Sequence, residues 1–574
     1  MLSTQRIMKT WIVGLLALVS TSTWATSSPA SSSAVWGYHP PAESADFCEL
    51  DAPYSEMPFT APVDASSCGA PPTSCTGAVC SASEACAGTR ALYEDQIACE
   101  TKEDCCLPGS VDADGVVDVL PYLARPVSAD PAIDNSTTVD DSPGIAHAIK
   151  CAMLQPTTRH TVAFPAGRYV LRSPLRPEHD NLTLEGPELS PDAAPGDPGT
   201  ATLVTLPCHP EYLPGAIQVD KVALDGSGKW VSANVSGVWI RNFQIVLTEG
   251  PRVKANSGIQ MNNCADCLVE NIIMRYVPRS AQPPKCKPSN LDGITFALGS
   301  GGAIRNVVVD GVPKGGIYLA SVTGHHVTRH IDVENCEIKN INGPVGAGGI
   351  KIITSDVAVR NCEVHHNWVS SGSTSGGYGL WIAAQIPGAT YPSPSPSNVV
   401  VQDSYFHHNG NSGVTMASPV EDRRPENIEL DRVKFAYNGS YGVHIQAGTG
   451  VELRDVWSWG NGAYGMYLTS RATLAPTALR VGTVYMQDPI VFDNGLTASQ
   501  DLPGILLQAS NITIDGGDFA RCEAWRGRQT KSIQQRCWQS GPAGGEVLFQ
   551  PENNVISGVD PHNTDAPQVL ACNL

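Results

Sequence analysis

One pattern constrains this 574-residue chain more than any other: a Gly-apolar-x-apolar element that returns nine times. It begins at Gly258, Gly293, Gly316, Gly349, Gly379, Gly413, Gly442, Gly465 and Gly504, at spacings of 23 to 39 residues. A second alternating run precedes many of these elements, as in Val357-Ala-Val359, Val399-Val-Val401, Ile428-Glu-Leu430 and Val451-Glu-Leu453. Each such run leads on to an Asn: Asn367, Asn409, Asn438, Asn461 or Asn494. Alternation of period two marks strands, and no repeat carries the 3.6-residue period of a helix. The Asn column has a physical reason. Asn tolerates the left-handed backbone of a tight turn, and its amide can bond the Asn one coil above. Leucine-rich repeats would show a fixed Leu/Asn pattern and propellers would show longer blades. The expected fold is therefore all-β, a right-handed parallel β-helix of about ten coils.

The chain before the repeats differs in charge and chemistry. Residues 26–140 hold 18 acidic and 3 basic residues, whereas residues 141–574 hold 38 and 32, so most of the net charge of −19 lies N-terminal to the repeats. No basic helix or stripe occurs, which argues against nucleic acid as a partner. No apolar run reaches the roughly 18 residues that a membrane span needs. Residues 1–25 read as a secretory signal, with Arg6 and Lys9 ahead of the apolar run 11–19 and Thr23-Trp24-Ala25 as the cleavage site. The reading is a secreted protein, extracellular or periplasmic. Eighteen cysteines suit that oxidising compartment.

Eight of those cysteines (Cys48, Cys68, Cys75, Cys80, Cys86, Cys99, Cys105 and Cys106) crowd into one segment with little apolar content. Disulfides would replace a core there, and the paired spacing of a zinc site is missing. Their connectivity is open. The expected boundaries are a signal at 1–25, a linker at 26–47, a Cys-rich disulfide module at 48–106 and a linker at 107–140. The β-helix follows at 141–525, and a tail at 526–574 is tied by Cys522 and Cys537. The Cys-rich module is expected to be dispensable for the β-helix, and the protein to be a monomer.

Three further phrases carry a family resemblance. Asp141-Ser142 leads into an apolar capping segment at 146–152, followed by Phe164-Pro-Ala-Gly-Arg-Tyr169 and Asn181-Leu-Thr-Leu-Glu-Gly186. Together with the Asn column and the Gly elements, they make residues 141–525 resemble the pectate-lyase-like β-helix superfamily. The resemblance implies a protein acting on an anionic polysaccharide. It does not choose among lyase, polygalacturonase-like hydrolase, C5-epimerase and non-catalytic glycan-binding scaffold. No cofactor is fixed by the residues, and calcium stays open.

The third residue of each Gly element alternates away from the core, giving an outward column of Gln260, Thr295, Tyr318, Lys351, Trp381, Thr415, His444, Tyr467 and Leu506. At about 4.8 Å per coil, this row is long enough for several sugar rings, and aromatic faces suit sugars. Lyase chemistry needs a base for the C5 proton, an acid for the leaving oxygen and a group that neutralises the carboxylate. His444 and Tyr467 on adjacent coils can supply the first two, or Lys351 can be the base if burial lowers its pKa. Tyr318, Trp381 and Asp292 are the expected substrate-binding residues.

Fragments of a polygalacturonase pattern also occur. Asn290-Leu-Asp-Gly293 resembles one of its motifs and Gly349-Ile-Lys351 another, with Gly324-His325-His326 a looser match. Lys314-Gly315 stands where the Asp pair that hydrolysis requires would be. Asp560-Pro-His-Asn563 resembles an epimerase motif but follows the last coil. A second outward column runs Lys339, His365, His407, Ala436 and Trp459, with His366 and His408 beside it. Stacked His pairs there can bind a metal or simply seal a turn, and no metal ligand is assigned.

Overall fold

The structure, a computed structural model, describes residues 99, 101–124, 140–171, 173–191, 193–194, 197–205, 215–219, 222–224, 230–232, 234–247, 256–277, 291–297, 299–321, 328–343, 348–369, 376–384, 395–418, 423–470, 481–498, 502–520, 529–536, 538–540, 547–549, 553–559 and 568–569. All of them fall in one unit, Trp36–Leu574. The proposed leader, Cys48 to Cys86, His325-His326, Cys522 with Cys537, and Asp560-Pro-His-Asn563 lie outside the described residues.

The chain winds as a right-handed parallel β-helix. One wall is a 12-stranded parallel sheet running from Ile217–Val219 to Gln568–Val569, and the other walls join in a 24-stranded sheet. All nine Gly elements are successive rungs of the first wall. Ile294 pairs in register with Ile317, and the same position continues through Ile350, Leu380, Val414, Val443, Met466 and Ile505. These side chains point inward and are fully buried, each worth roughly 1.5–3 kcal/mol. Phe406 and Phe435 stack within the core at 5.5 Å.

The outer face of the larger sheet carries a ladder of alternating charge: Glu185, Arg241, Glu270, Arg305, Glu334 and Arg360 are successive in-register neighbours. Arg241–Glu185 closes at 2.8 Å and Arg305–Glu334 at 3.0 Å. Exposed pairs of this kind stabilise weakly. A one-coil slip would stack like charges, so the ladder favours the observed register.

The turns differ from expectation in one respect. Asn367, Asn409, Asn438 and Asn461 form a buried ladder, each amide donating to the next Asn Oδ1 at 2.8–3.0 Å, and Asn461 does the same to Asn494 at 2.9 Å. The left-handed residue, however, is the one before each Asn: His366, His408, Tyr437, Gly460 and Asp493. The Asn side chain bonds across coils while its neighbour makes the bend. Left-handed Asn residues instead form a separate, part-buried ladder through Asn242, Asn271, Asn306 and Asn335.

Both ends of the β-helix extend beyond the expected boundaries. Val117–Asp118 adds a strand beside His160–Ala163, and Val117, Val119 and Tyr122 enter the core. Cys106 is disulfide-bonded to Cys151 in the capping helix Ser142–Met153, and Cys99 to Cys105. Residues 107–124 are thus part of the cap rather than a linker, because their apolar side chains cover the open end of the barrel. At the other end, Gln529–Gln535 and Gln568–Val569 continue the first wall past residue 525.

Replacing Cys106 and Cys151 by Ser should therefore cost about 2–4 kcal/mol, read as a lower denaturant midpoint. Deletion of residues 26–108, which removes Cys106, should destabilise the helix by at least as much.

Candidate functional site

The outward column is a true row. Thr295, Tyr318, Lys351, Trp381, Thr415, His444, Tyr467 and Leu506 are in-register neighbours on consecutive rungs. The row is not simple surface decoration: Lys351 is 6% exposed, Thr415 2% and His444 8%, while Tyr318, Trp381 and Tyr467 are half-buried.

Charge gathers at the Lys351 end. Asp292, one position before Gly293 in its strand, is 1% exposed. Its Oδ2 accepts from Lys314 Nζ at 3.2 Å, and its Oδ1 has no partner. A side chain at Gly315, the next rung, would come within 2.5 Å of that Oδ1, so the glycine makes room for the carboxylate. Burial raises the Asp292 pKa against the pull of Lys314 and Lys351. Burial also lowers Lys351 to about 8, with Asp292 opposing and Lys314 adding to the shift. The Lys351 amine lies 5.9 Å from the Tyr318 ring centre and 5.6 Å from that of Trp381. Burial, with Asp292 adding, raises the Tyr318 pKa, so its hydroxyl stays protonated. An amine whose pKa is brought down to about 8, beside a protonated phenol and a second lysine, is an acid–base set.

Three to four rungs on, the chemistry is aromatic. His444 and Tyr467 stack at 5.1 Å, only 9° from parallel. Tyr441 and Tyr464 stack at 5.9 Å and 2°, and the two stacks meet at about 50°. The Tyr467 hydroxyl donates to Gln508 Oε1 at 2.7 Å. His444 and Tyr467 therefore meet face to face and share no hydrogen bond, so no proton passes between them directly. Burial lowers His444 to about 4 and leaves it neutral but weakly basic.

At about 4.8 Å per rung, Lys351 and His444 stand about 14 Å apart. They cannot act on one bond. Tyr441 and Tyr464 were not singled out from the sequence, and Lys314 was noted only as standing where a carboxylate would be. The available signal was a repeated phrase, Tyr378-Gly-Leu-Trp381, Tyr441-Gly-Val-His444 and Tyr464-Gly-Met-Tyr467, which sets a second ring three residues before the column.

The second column is also in register: Lys339, His365, His407, Ala436 and Trp459. His365 stacks on His407 at 4.8 Å and His366 on His408 at 5.1 Å. Glu337 holds His365 and Glu363 holds His407 at 3.2 and 2.8 Å. Among the described residues, no three His, Cys, Asp or Glu side chains are placed to hold a metal ion. The arrangement repeats the turn-sealing logic of the Asn ladder.

Burial and neighbouring His residues lower His366 to about 4 and His408 to about 3, below the value near 6.5 of an unfolded chain. Between pH 6.5 and 4 the unfolded chain binds more protons, so stability falls as pH drops through that window. His366→Asn with His408→Asn keeps left-handed turn residues and removes the titration. The fall in melting temperature from pH 7 to pH 4 should be shallower in this variant.

Residues 127–367 match the family described as "Rhamnogalacturonase A/epimerase, pectate lyase-like". No curated protein matches the chain in sequence. Among solved structures, the chain is similar to the mannuronan C-5 epimerase AlgE4 A-module of Azotobacter vinelandii (15% identity, 79% of this chain and 100% of that one, TM-score 0.38). It is also similar to the surface adhesin PfbA of Streptococcus pneumoniae (12%, 77% and 90%, 0.45) and to tailspike protein 3 of bacteriophage CBA120 (11%, 85% and 67%, 0.46).

Proposed function

We propose that this chain, a right-handed parallel β-helix of the pectate-lyase-like superfamily, is a secreted, monomeric lyase that cleaves a uronate-containing polysaccharide by β-elimination. The observation that carries the reading is the buried Lys351, with its pKa near 8, clustered with Asp292, Lys314 and Tyr318. The matched family is consistent with a polysaccharide substrate.

Lys314 pairs with the uronate carboxylate and makes the C5 proton more acidic. The neutral Lys351 amine takes that proton, and the C4–O bond breaks as C4=C5 forms. The Tyr318 hydroxyl then protonates the leaving oxygen. Trp381 and Tyr378, whose rings lie 6.5 Å apart, offer a face to a neighbouring sugar. Asp292 holds Lys314 in place and keeps Lys351 from falling further in pKa. Hydrolysis is disfavoured because Gly315 takes the place of the second carboxylate that it needs.

C5-epimerisation is the second reading, because it begins with the same proton transfer and ends with return of a proton to C5. The test is a panel of pectin, alginate and glycosaminoglycans assayed in heavy water, with and without added calcium. Absorbance from an unsaturated uronate supports the lyase. Deuterium at C5 without cleavage supports the epimerase. Neither signal on any substrate overturns both and leaves the non-catalytic scaffold.

A further inference from the structure

The buried amide ladder carries a chemical liability in its own sequence. Four of its rungs, Asn409, Asn438, Asn461 and Asn494, are each followed by glycine. In an Asn-Gly pair the following backbone nitrogen reaches the side-chain amide with the least hindrance, because glycine has no Cβ. The chain has one other such pair, Asn342-Gly343, and its Asn is exposed. Asn367, the first rung of the ladder, is followed by the bulky Trp368.

Packing explains the glycines. A Cβ at Gly439 would lie 2.5 Å from Gly410 O, and one at Gly462 would lie 2.1 Å from Gly439 O. Successive coils approach too closely at this corner for a side chain. The ladder needs the amide and the close approach needs the glycine, so the fold itself calls for a dipeptide prone to deamidation.

In the folded chain both reacting groups are held. Gly410 N donates to Asn367 O and Gly439 N to Asn409 O, both at 2.7 Å, and Gly462 N to Asn438 O and Gly495 N to Asn461 O, both at 2.8 Å. The nitrogen that would attack is thus tied to the preceding coil. The amide nitrogen of each Asn is tied to the following coil, as far as Asn494 Nδ2, which donates to Gln529 Oε1 at 3.0 Å. All four side chains are buried, away from the water that the reaction consumes.

We infer that Asn409, Asn438, Asn461 and Asn494 are deamidation sites kept silent by folding, and that their reaction in the unfolded chain makes loss of the β-helix irreversible. Once the chain opens, the Gly nitrogen loses its proton and bonds to Asn Cγ, and the side-chain nitrogen leaves as ammonia. One water then opens the cyclic imide at either carbonyl, giving Asp or isoaspartate. Ionised Asp brings a charge into the ladder without the amide donors. Isoaspartate lengthens the main chain by one atom and shifts the next strand out of register.

The test holds the full chain at pH 8.5, either native or in guanidinium chloride, and maps its peptides by mass spectrometry. In denaturant all five Asn-Gly pairs should react, and Asn367 far more slowly. In the native protein the four ladder sites should react at least ~10²-fold more slowly than in denaturant. The unfolded fraction of a native chain is ~10⁻³ or less, and local opening takes up part of that margin. At partial modification the denaturant is removed, and refolded and unrefolded molecules are separated by size exclusion. Modified ladder rungs should be confined to the unrefolded pool, whereas modified Asn342 should occur in both. If the unmodified chain does not refold, the soluble and precipitated fractions of aged native protein are mapped in place of the two pools.

A smaller ratio between the denatured and native rates overturns the inference, as does failure of the four sites to react in denaturant. Modified ladder rungs as frequent in the folded pool as in the other would show that the reaction does not block refolding, and would overturn it as well.

Discussion

Lys351→Met should lower turnover by ~10²–10⁴-fold, the usual contribution of a positioned general base, and it should do so without loss of stability. In the wild-type protein the amine is buried with its pKa near 8, below the 10.5 of a free lysine. Below pH 8 the folded state therefore carries a penalty for burying the cation. That penalty fades only as pH rises from about 8 toward 10.5. Methionine fills a similar volume without charge, so the melting temperature at pH 7 should hold or rise. A merely structural lysine would give the opposite pair of results.

The pH profile adds a second signature. Wild-type turnover should climb through an inflection near pH 8 as Lys351 loses its proton. Asp292 raises the Lys351 pKa, so Asp292→Asn should move that inflection to lower pH. The amide has nearly the same shape as the carboxylate and still fits above Gly315. An inflection that moves up, or full turnover in Lys351→Met, would place the base on another residue.

The alignment of the Gly elements was legible because it depends on alternation alone. Once Ile350 and Ile352 must face the core, Lys351 cannot, and parallel pairing sets it beside Tyr318 and Trp381. The same reasoning paired His444 with Tyr467 correctly. It could not tell a stacked pair from a hydrogen-bonded one, because ring orientation depends on neighbours such as Tyr441 and Gln508 that lie off the column. Lys314 was read only as standing where a carboxylate would be, and not as the partner of Asp292, for a similar reason: it precedes its strand and reaches Asp292 across one rung.

The capping helix was legible, but the reach of the cap into residues 107–124 was not, because disulfide pairing is not written in cysteine spacing. Cys106 belongs to a crowded segment, yet its partner Cys151 lies in the helix that closes the barrel. Asn438 shows the limit on the surface chemistry as well. Asn438-Gly-Ser440 has the form of a glycosylation acceptor, but its side chain is buried in the ladder and cannot take a glycan in the folded chain.

That burial makes Asn438→Leu the most damaging single change expected in the repeats. The Asn438 amide donates to Phe406 O at 3.1 Å and to Asn461 Oδ1 at 3.0 Å. Its Oδ1 accepts from Asn409 N at 3.2 Å and from Asn409 Nδ2 at 3.0 Å. Leucine removes all four bonds, leaves the Asn409 donors facing a methyl group, and adds bulk near Gly413, where the amide already fits closely. Several buried groups stranded together should cost about 3–5 kcal/mol, allowing for partial relaxation. The backbone bend itself is spared, because the left-handed residue is Tyr437. Asn438→Asp keeps the acceptor and, when protonated, offers one O–H donor in place of the two N–H bonds of the amide, so it should fall between wild type and Leu at low pH and should be worse when ionisation removes that donor. Denaturant midpoints of the three proteins test this order. A neutral Leu variant would mean that stability at this turn comes from backbone pairing rather than from the amide ladder.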